Sequence, residues 1–121
     1  MTLNNETILG TTVYGEASGN YDGSSQDFLS DPVRAANYYG GQGAIQTASI
    51  QVTDFIGTIT LQATLADQVG QAAWFDVAEY SDASSAVTDY HLITVTGNFT
   101  FMRARITGFD AGTINSITLT Y

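Results

Sequence analysis

The chain has 121 residues and a mass of 12.9 kDa, the size of one domain, and its 44% hydrophobic content suffices for a core without disulfides, since it has no cysteine. Twelve acids against three arginines (Arg34, Arg103, Arg105) and no lysine leave a net charge of −9. So few cations cannot replace phosphate counterions, which excludes duplex nucleic acid and anionic membrane surfaces as partners.

Charged residues make up only 12% of the chain, and 17 Thr and 9 Ser fill the gap. Thr is β-branched and fits a pleated, half-buried surface, so an all-β fold is expected. Thr7 to Tyr14 reads as the first strand. Thr47 to Thr53 alternates Ile50 and Val52 with Ser49, Gln51 and Thr53. Gly57 to Leu65 alternates most cleanly, with Ile59, Leu61, Ala63 and Leu65 on the face expected to be buried. Ala73 to Tyr80 follows, with Phe75 and Val77 opposite Trp74 and Asp76. Tyr90 to Thr96 is next, and Gly97-Asn98 is expected to make a tight turn into Phe99 to Thr107. There Phe99, Phe101, Arg103 and Arg105 share one face. Asp110-Ala111-Gly112 reads as a turn, and Thr113 to Tyr121 as the last strand. Ile114 is out of phase with Ile117, Leu119 and Tyr121, which predicts a bulge near Asn115-Ser116. These runs predict a single antiparallel β-sandwich over residues 1–121, jelly-roll-like in arrangement.

The 30 residues from Gly15 to Ala44 stand apart as one long Gly/Tyr-rich loop, with six glycines, the only proline, and Tyr21, Phe28, Tyr38 and Tyr39. Phe28 to Ala36 reads as a helical turn or two, capped by Ser30 or Asp31 ahead of Pro32. A loop this long either carries a contact surface or folds back to plug the sandwich with its own aromatics.

Chemistry is sparse. The single histidine, His91, lies in an alternating strand with no nucleophile-elbow context, and a structural role is expected for it. Asp76 and Glu79 fall on opposite faces by strict alternation and read, with Asp82, as solvated acids. Asp22, Asp27 and Asp31 lack the spacing of a dedicated calcium loop. No catalytic residue, metal or cofactor is assigned, and no enzyme is expected. No apolar run reaches the ~18 residues of a membrane span, and the start MTLNNETILG reads as carrying no export leader. The sequons at Asn5 and Asn98 are accordingly read as chance. Trp74, beside Phe75 and Val77, reads as core; exposed, it would stack on a sugar ring.

Soluble monomers guard sheet edges with lysine, proline or bulges, and this chain has no lysine and places its one proline in the loop. Its strands expose Thr, Ser and Gln rather than charge, and Tyr, Phe and Arg are the residues interfaces favour. Edges covered by neighbouring subunits are the expectation.

Most of the chain is spanned by a set of short motifs. They run from Tyr21-Asp22-Gly23 through Asn37-Tyr38-Tyr39-Gly40-Gly41, Gln46-Thr47 and Val52-Thr53-Asp54-Phe55-Ile56-Gly57. They continue through Gln62-Ala63-Thr64-Leu65 and Ala73-Trp74-Phe75-Asp76-Val77. The set ends with Gly97-Asn98-Phe99-Thr100-Phe101-Met102-Arg103-Ala104, Gly112-Thr113-Ile114 and Ser116-Ile117. Together these resemble small β-rich virion structural proteins of tailed bacteriophages, particularly marine and cyanobacterial ones. The resemblance implies a particle component that self-associates or docks on other virion proteins, and it leaves capsid decoration, neck, tail and baseplate as alternative positions. It implies assembly in the host cytoplasm and residence in the virion. Arg34, Tyr38, Tyr39, Arg103 and Arg105 are the candidate partner contacts. A homo-oligomer is expected. The alternative is a carbohydrate-binding β-sandwich module for host-surface glycans, with Trp74 or the Tyr38-Tyr39 pair as the stacking platform.

Overall fold

The structure, a computed structural model, describes residues 5–38, 44–66, 70 and 73–121, without the side chains of 83–87. It is all-β and antiparallel. Short strands β1 (Asn5–Leu9), β2 (Thr12–Val13), β3 (Phe28–Leu29) and β4 (Val33–Arg34) precede three long ones, β5 (Ile45–Thr64), β6 (Phe75–Thr96) and β7 (Phe101–Thr120). The sheet order is β1-β7-β5-β6, and β2, β3 and β4 continue the β1 side along β7.

The long strands are the main departure from the sequence reading. Each expected pair of short strands is one strand of 20 or 22 residues that bends at its middle. In a flat strand Tyr80 and His91 would stand ~36 Å apart, yet their rings are 4.9 Å apart. The sheet therefore folds over on itself. β1, at one end of β7, packs against β4, which pairs near the other end. The antiparallel β-sandwich expected from the sequence is present, and its two layers are two halves of one sheet joined by strands that pass through both.

Bulges make the corner. β5 buries Ala48, Ile50 and Val52 before the bend, and Phe55, Ile59, Leu61 and Ala63 after it. Even numbers thus give way to odd ones, and an extra residue keeps the same face inward. Asp54 takes that position at φ 51°, and its N–H donates to the Thr88 hydroxyl at 3.1 Å. The expected turn at Asp110-Ala111-Gly112 is instead the matching corner within β7. Gly112, at φ 86°, lies against the Asp54 carbonyl where a Cβ has no room. The bulge expected near Asn115-Ser116 is present: Gln51 pairs Ser116, Val52 pairs Ile114, and Asn115 is the residue passed over.

Gly97-Asn98 does not close a hairpin, because β6 and β7 are not sheet neighbours. β6 ends at Thr96 against Ile45 in one layer, and β7 begins at Phe101 against Thr64 in the other. The connection crosses between layers. Phe99 turns toward the core rather than joining the face of Phe101. Leu65 lies past the end of its strand and is 62% exposed, not buried.

The long loop folds back. Tyr21 is buried and its ring meets Phe28 at 5.1 Å and Phe109 at 5.2 Å, while Phe109 meets Phe55 at 5.8 Å. These aromatics fill the corner. The expected helical turn over Phe28 to Ala36 is absent; the segment is extended and completes the edge of β7. Ser30 explains the capture: its N–H donates to the Ala104 carbonyl at 2.9 Å, and its hydroxyl accepts from the Ala104 N–H at 2.8 Å. Pro32, with no N–H to donate, suits such an edge.

Asp22 ties the loop start. Its carboxylate accepts from the N–H groups of Ser24 (2.9 Å) and Ser25 (2.7 Å) and from the Ser25 hydroxyl (2.8 Å). The backbone bonds to Ser24 and Ser25 hold its pKa down to about 2. A depressed folded pKa stabilises the fold above the unfolded value and loses that contribution as pH falls through the folded one. Asp22→Asn should therefore melt below the unmodified chain at pH 7, with the gap closing toward pH ~2. Thermal melts of both proteins across that range check this; a gap independent of pH would contradict it.

Candidate functional site

The layer holding β3, β4, the first half of β7, the second half of β5 and the first half of β6 turns a distinctive face outward. Register sets its rows. Glu79, Thr60, Arg105 and Leu29 lie side by side across β6, β5, β7 and β3. Asp76, Gln62 and Arg103 form the next row, and Thr64, Phe101 and Arg34 the one after. All three arginines of the chain thus stand on one face within three rows. The sequence placed Arg103 and Arg105 together by alternation. Only the pairing of β4 with β7 brings Arg34 to them.

Each arginine has a different environment. The Arg34 guanidinium lies over the Tyr38 ring at 4.6 Å, and Tyr38 meets Phe101 edge-on at 5.2 Å. Arg103 lies over the Trp74 ring at 4.3 Å and donates from Nε to Gln62 Oε1 at 2.8 Å. Gln62 in turn donates from Nε2 to Asp76 Oδ1 at 2.8 Å. Arg103 is half-buried, and burial, then the neighbouring Arg105, lowers its pKa. The Gln62 amide thus links Arg103 to Asp76 within the chain. Gln62 was missed by the sequence reading because its run reads as an outward Thr/Gln face. Its low exposure, like that of Thr60 and Thr64, shows that this face is covered as well.

Asp76 and Glu79 are both on this outer face, contrary to strict alternation. Leu61 pairs Ala78 and Gln62 pairs Asp76, so Val77 is an extra residue that shifts the phase. Trp74 lies outside the core cluster, with one ring face occupied by Arg103. Tyr39 lies outside the described residues, and so does the Tyr38-Tyr39 platform as a pair.

Arg103→Ala removes the stacking on Trp74 and leaves Gln62 Oε1 without its donor. For a half-buried guanidinium the expected cost is about 1–3 kcal/mol. Urea unfolding measures it, and the fluorescence of Trp74, the sole tryptophan, should change in the folded baseline. An unchanged spectrum and an unchanged midpoint would contradict the contact.

The residues considered for other chemistry do not converge. Asp27 accepts from the Gly108 N–H at 3.0 Å, Asp31 accepts from Asn20 at 3.0 Å, and Asp22 is bound within its own turn. Among the described residues no group of three His, Cys, Asp or Glu side chains gathers as a metal set. His91 is half-buried against Tyr80. The Tyr80 hydroxyl donates to Asp89 at 3.3 Å, and burial, then Asp82 and Asp89, push its pKa upward.

A second surface is the β6 edge. Among the described residues β6 pairs only with β5, so one side of a 22-residue strand offers its backbone N–H and C=O groups outward. No Lys or Pro interrupts it. Tyr90 and Leu92, 75% and 70% exposed, project from it beside Gln51 and Ser49. The outer face of that half carries Thr47, Ser49 and Gln51 from β5 and Ser116, Thr118 and Thr120 from β7, with no charge. From Tyr90 to Thr96 the edge is free of acids, whereas Asp76, Glu79, Asp82 and Asp89 occupy the part before it.

No protein-family model, curated protein or solved structure matches the chain.

Proposed function

We propose that this chain is a non-enzymatic structural subunit of a tailed-phage particle. It self-associates through the β6 edge and docks on other virion proteins in a capsid-decoration, neck or tail position. The open stretch Tyr90–Thr96 of the β6 edge carries the reading, because it has neither charge, proline nor bulge and a soluble monomer would protect such a stretch. Two copies can pair antiparallel at Tyr90–Thr96, where no acid opposes another in a chain of net charge −9. The uncharged outer face and the arginine–aromatic face are the surfaces left for other subunits, and the motif resemblance supplies the virion setting. Mass spectrometry of gradient-banded particles from the source tests the setting. Many copies per particle are expected; free protein in the lysate and none in the particles would overturn it.

A second reading, a carbohydrate-binding module for attachment to host glycans, is favoured by a groove on the arginine-bearing face. Such a module sits on a particle as well as free in solution.

A further inference from the structure

Two of the three arginines are engaged within the chain, Arg34 with Tyr38 and Arg103 with Trp74 and Gln62. Arg105 is exposed, and among the described residues it makes no hydrogen bond, ion pair or ring contact. It lines a groove of about 600 Å³ with Asn20, Asp27, Phe28, Leu29 and Thr107. That volume is within the ~300–1,000 Å³ typical of small-molecule sites.

The groove is built at the meeting of the long loop and β7. Leu29 pairs with Arg105, so its side chain forms an apolar wall beside the guanidinium. The polar groups opposite are held in place with capacity to spare. Asn20 donates from Nδ2 to both the Leu29 carbonyl (2.9 Å) and Asp31 Oδ1 (3.0 Å), which fixes its amide plane and leaves Oδ1 as an acceptor. Asp27 is anchored by one oxygen on the Gly108 N–H at 3.0 Å, and its second oxygen remains available. Thr107 adds a hydroxyl that both donates and accepts.

We infer that this groove binds one pyranose ring of a neutral saccharide. This names the site and ligand class of the carbohydrate-binding reading and rests on it. A ring of vicinal hydroxyls needs donors and acceptors together, while its axial C–H face needs an apolar wall. Arg105 supplies paired donors, Asp27 and Asn20 supply fixed acceptors, and Leu29 with Phe28 supplies the wall. An anion would meet Asp27 in a chain of net charge −9, and a cation would meet Arg105. The neutral polyol is the ligand both charges accept, and the anchored side chains keep the ordering cost of binding low.

The test is a protein-observed NMR titration of the full chain with the methyl glycosides of glucose, galactose and mannose, with glucuronate and inorganic phosphate as separate arms. At least one hexoside should shift the amides of Asn20, Leu29, Thr107 and Gly108. Arg105→Ala and Asp27→Asn should each weaken that response about 10-fold or more, a loss of ~1.4 kcal/mol, while keeping the dispersion of the folded spectrum. Asp27→Asn retains an oxygen for the Gly108 N–H, so it removes the charge without untying the loop. Shifts centred on Trp74 and Tyr38 instead would preserve carbohydrate binding and overturn this site. Binding of glucuronate or phosphate alone would overturn the neutral-ligand assignment. No response to any hexoside would overturn both the site and the carbohydrate-binding reading, leaving the assembly proposal untouched.

Discussion

Replacing Phe109 by alanine is expected to destabilise the domain by about 3–5 kcal/mol. Phe109 is fully buried where the folded-over sheet turns its corner. Its ring touches Tyr14 (5.6 Å), Tyr21 (5.2 Å), Phe55 (5.8 Å) and Phe28 (6.3 Å), so it joins β7, β5 and the long loop. Its N–H also donates to the Gln26 carbonyl, so the backbone around it is tethered and cannot close freely over a cavity. Marginal domains hold only ~5–15 kcal/mol in total, and the melting temperature should fall by roughly 10–20 °C. Urea unfolding followed by circular dichroism gives the value. Phe109→Leu, which keeps most of the volume, should cost less than half as much. Equal and small effects for the two variants would show that the corner is not held by this cluster.

Gln46→Leu is the second large effect, at about 2–4 kcal/mol. Gln46 is fully buried near the start of β5 and joins the two layers. Its Oε1 accepts from the Ala36 N–H at 3.1 Å, just after β4. Its Nε2 donates to the Val95 carbonyl at 2.8 Å and to the Gly97 carbonyl at 3.3 Å. Leucine matches the size but leaves these buried backbone groups without partners, and an orphaned buried group costs ~1–3 kcal/mol. The loss should appear in the urea midpoint and as faster amide exchange at Ala36. A loss of unfolding free energy below ~0.5 kcal/mol, the usual range for surface substitutions, would contradict the cross-link.

Gln46 also shows where sequence reading stops. The alternation of Ile59, Leu61 and Ala63 with threonine records which residues the chain buries, and the structure buries them. The phase break at Ile114 was readable for the same reason, since one extra residue shifts a period of two. Whether a phase break marks a reversal of the chain or a corner within a strand is not local information. Asp54 to Gly57 and Asp110 to Gly112 carry the residues of turns, yet partner strands on both sides keep them within the sheet. β3 and β4 have two residues each, too few to show any period, and Ser30 and Pro32 there look as much like a helix start as an edge. The bulge at Val77 has no glycine or asparagine to announce it, so Asp76 and Glu79 were placed apart.

The candidate site follows the same division. Arg103 and Arg105 were legible as a pair because they sit two apart on one strand. Trp74 and Gln62 reach Arg103, and Arg34 reaches Phe101, only through register between segments tens of residues apart. The groove at Arg105 draws on residues 20 to 29 and 105 to 107, and no pattern within either stretch signals the other. The unguarded edge was visible in composition, as the lack of lysine. Which strand would carry it was settled by the sheet order.

The claim on which this account turns is that a second copy covers the β6 edge. Native mass measurement of the purified chain across a concentration series tests it most directly, with Leu92→Lys run alongside to place a charge on the exposed edge. A dimer or larger species is expected for the unmodified chain, and a monomer of about the 12.9 kDa chain mass with an unchanged circular dichroism spectrum for the variant. A monomer at every soluble concentration of the unmodified chain, or an oligomer that Leu92→Lys leaves intact, would contradict it.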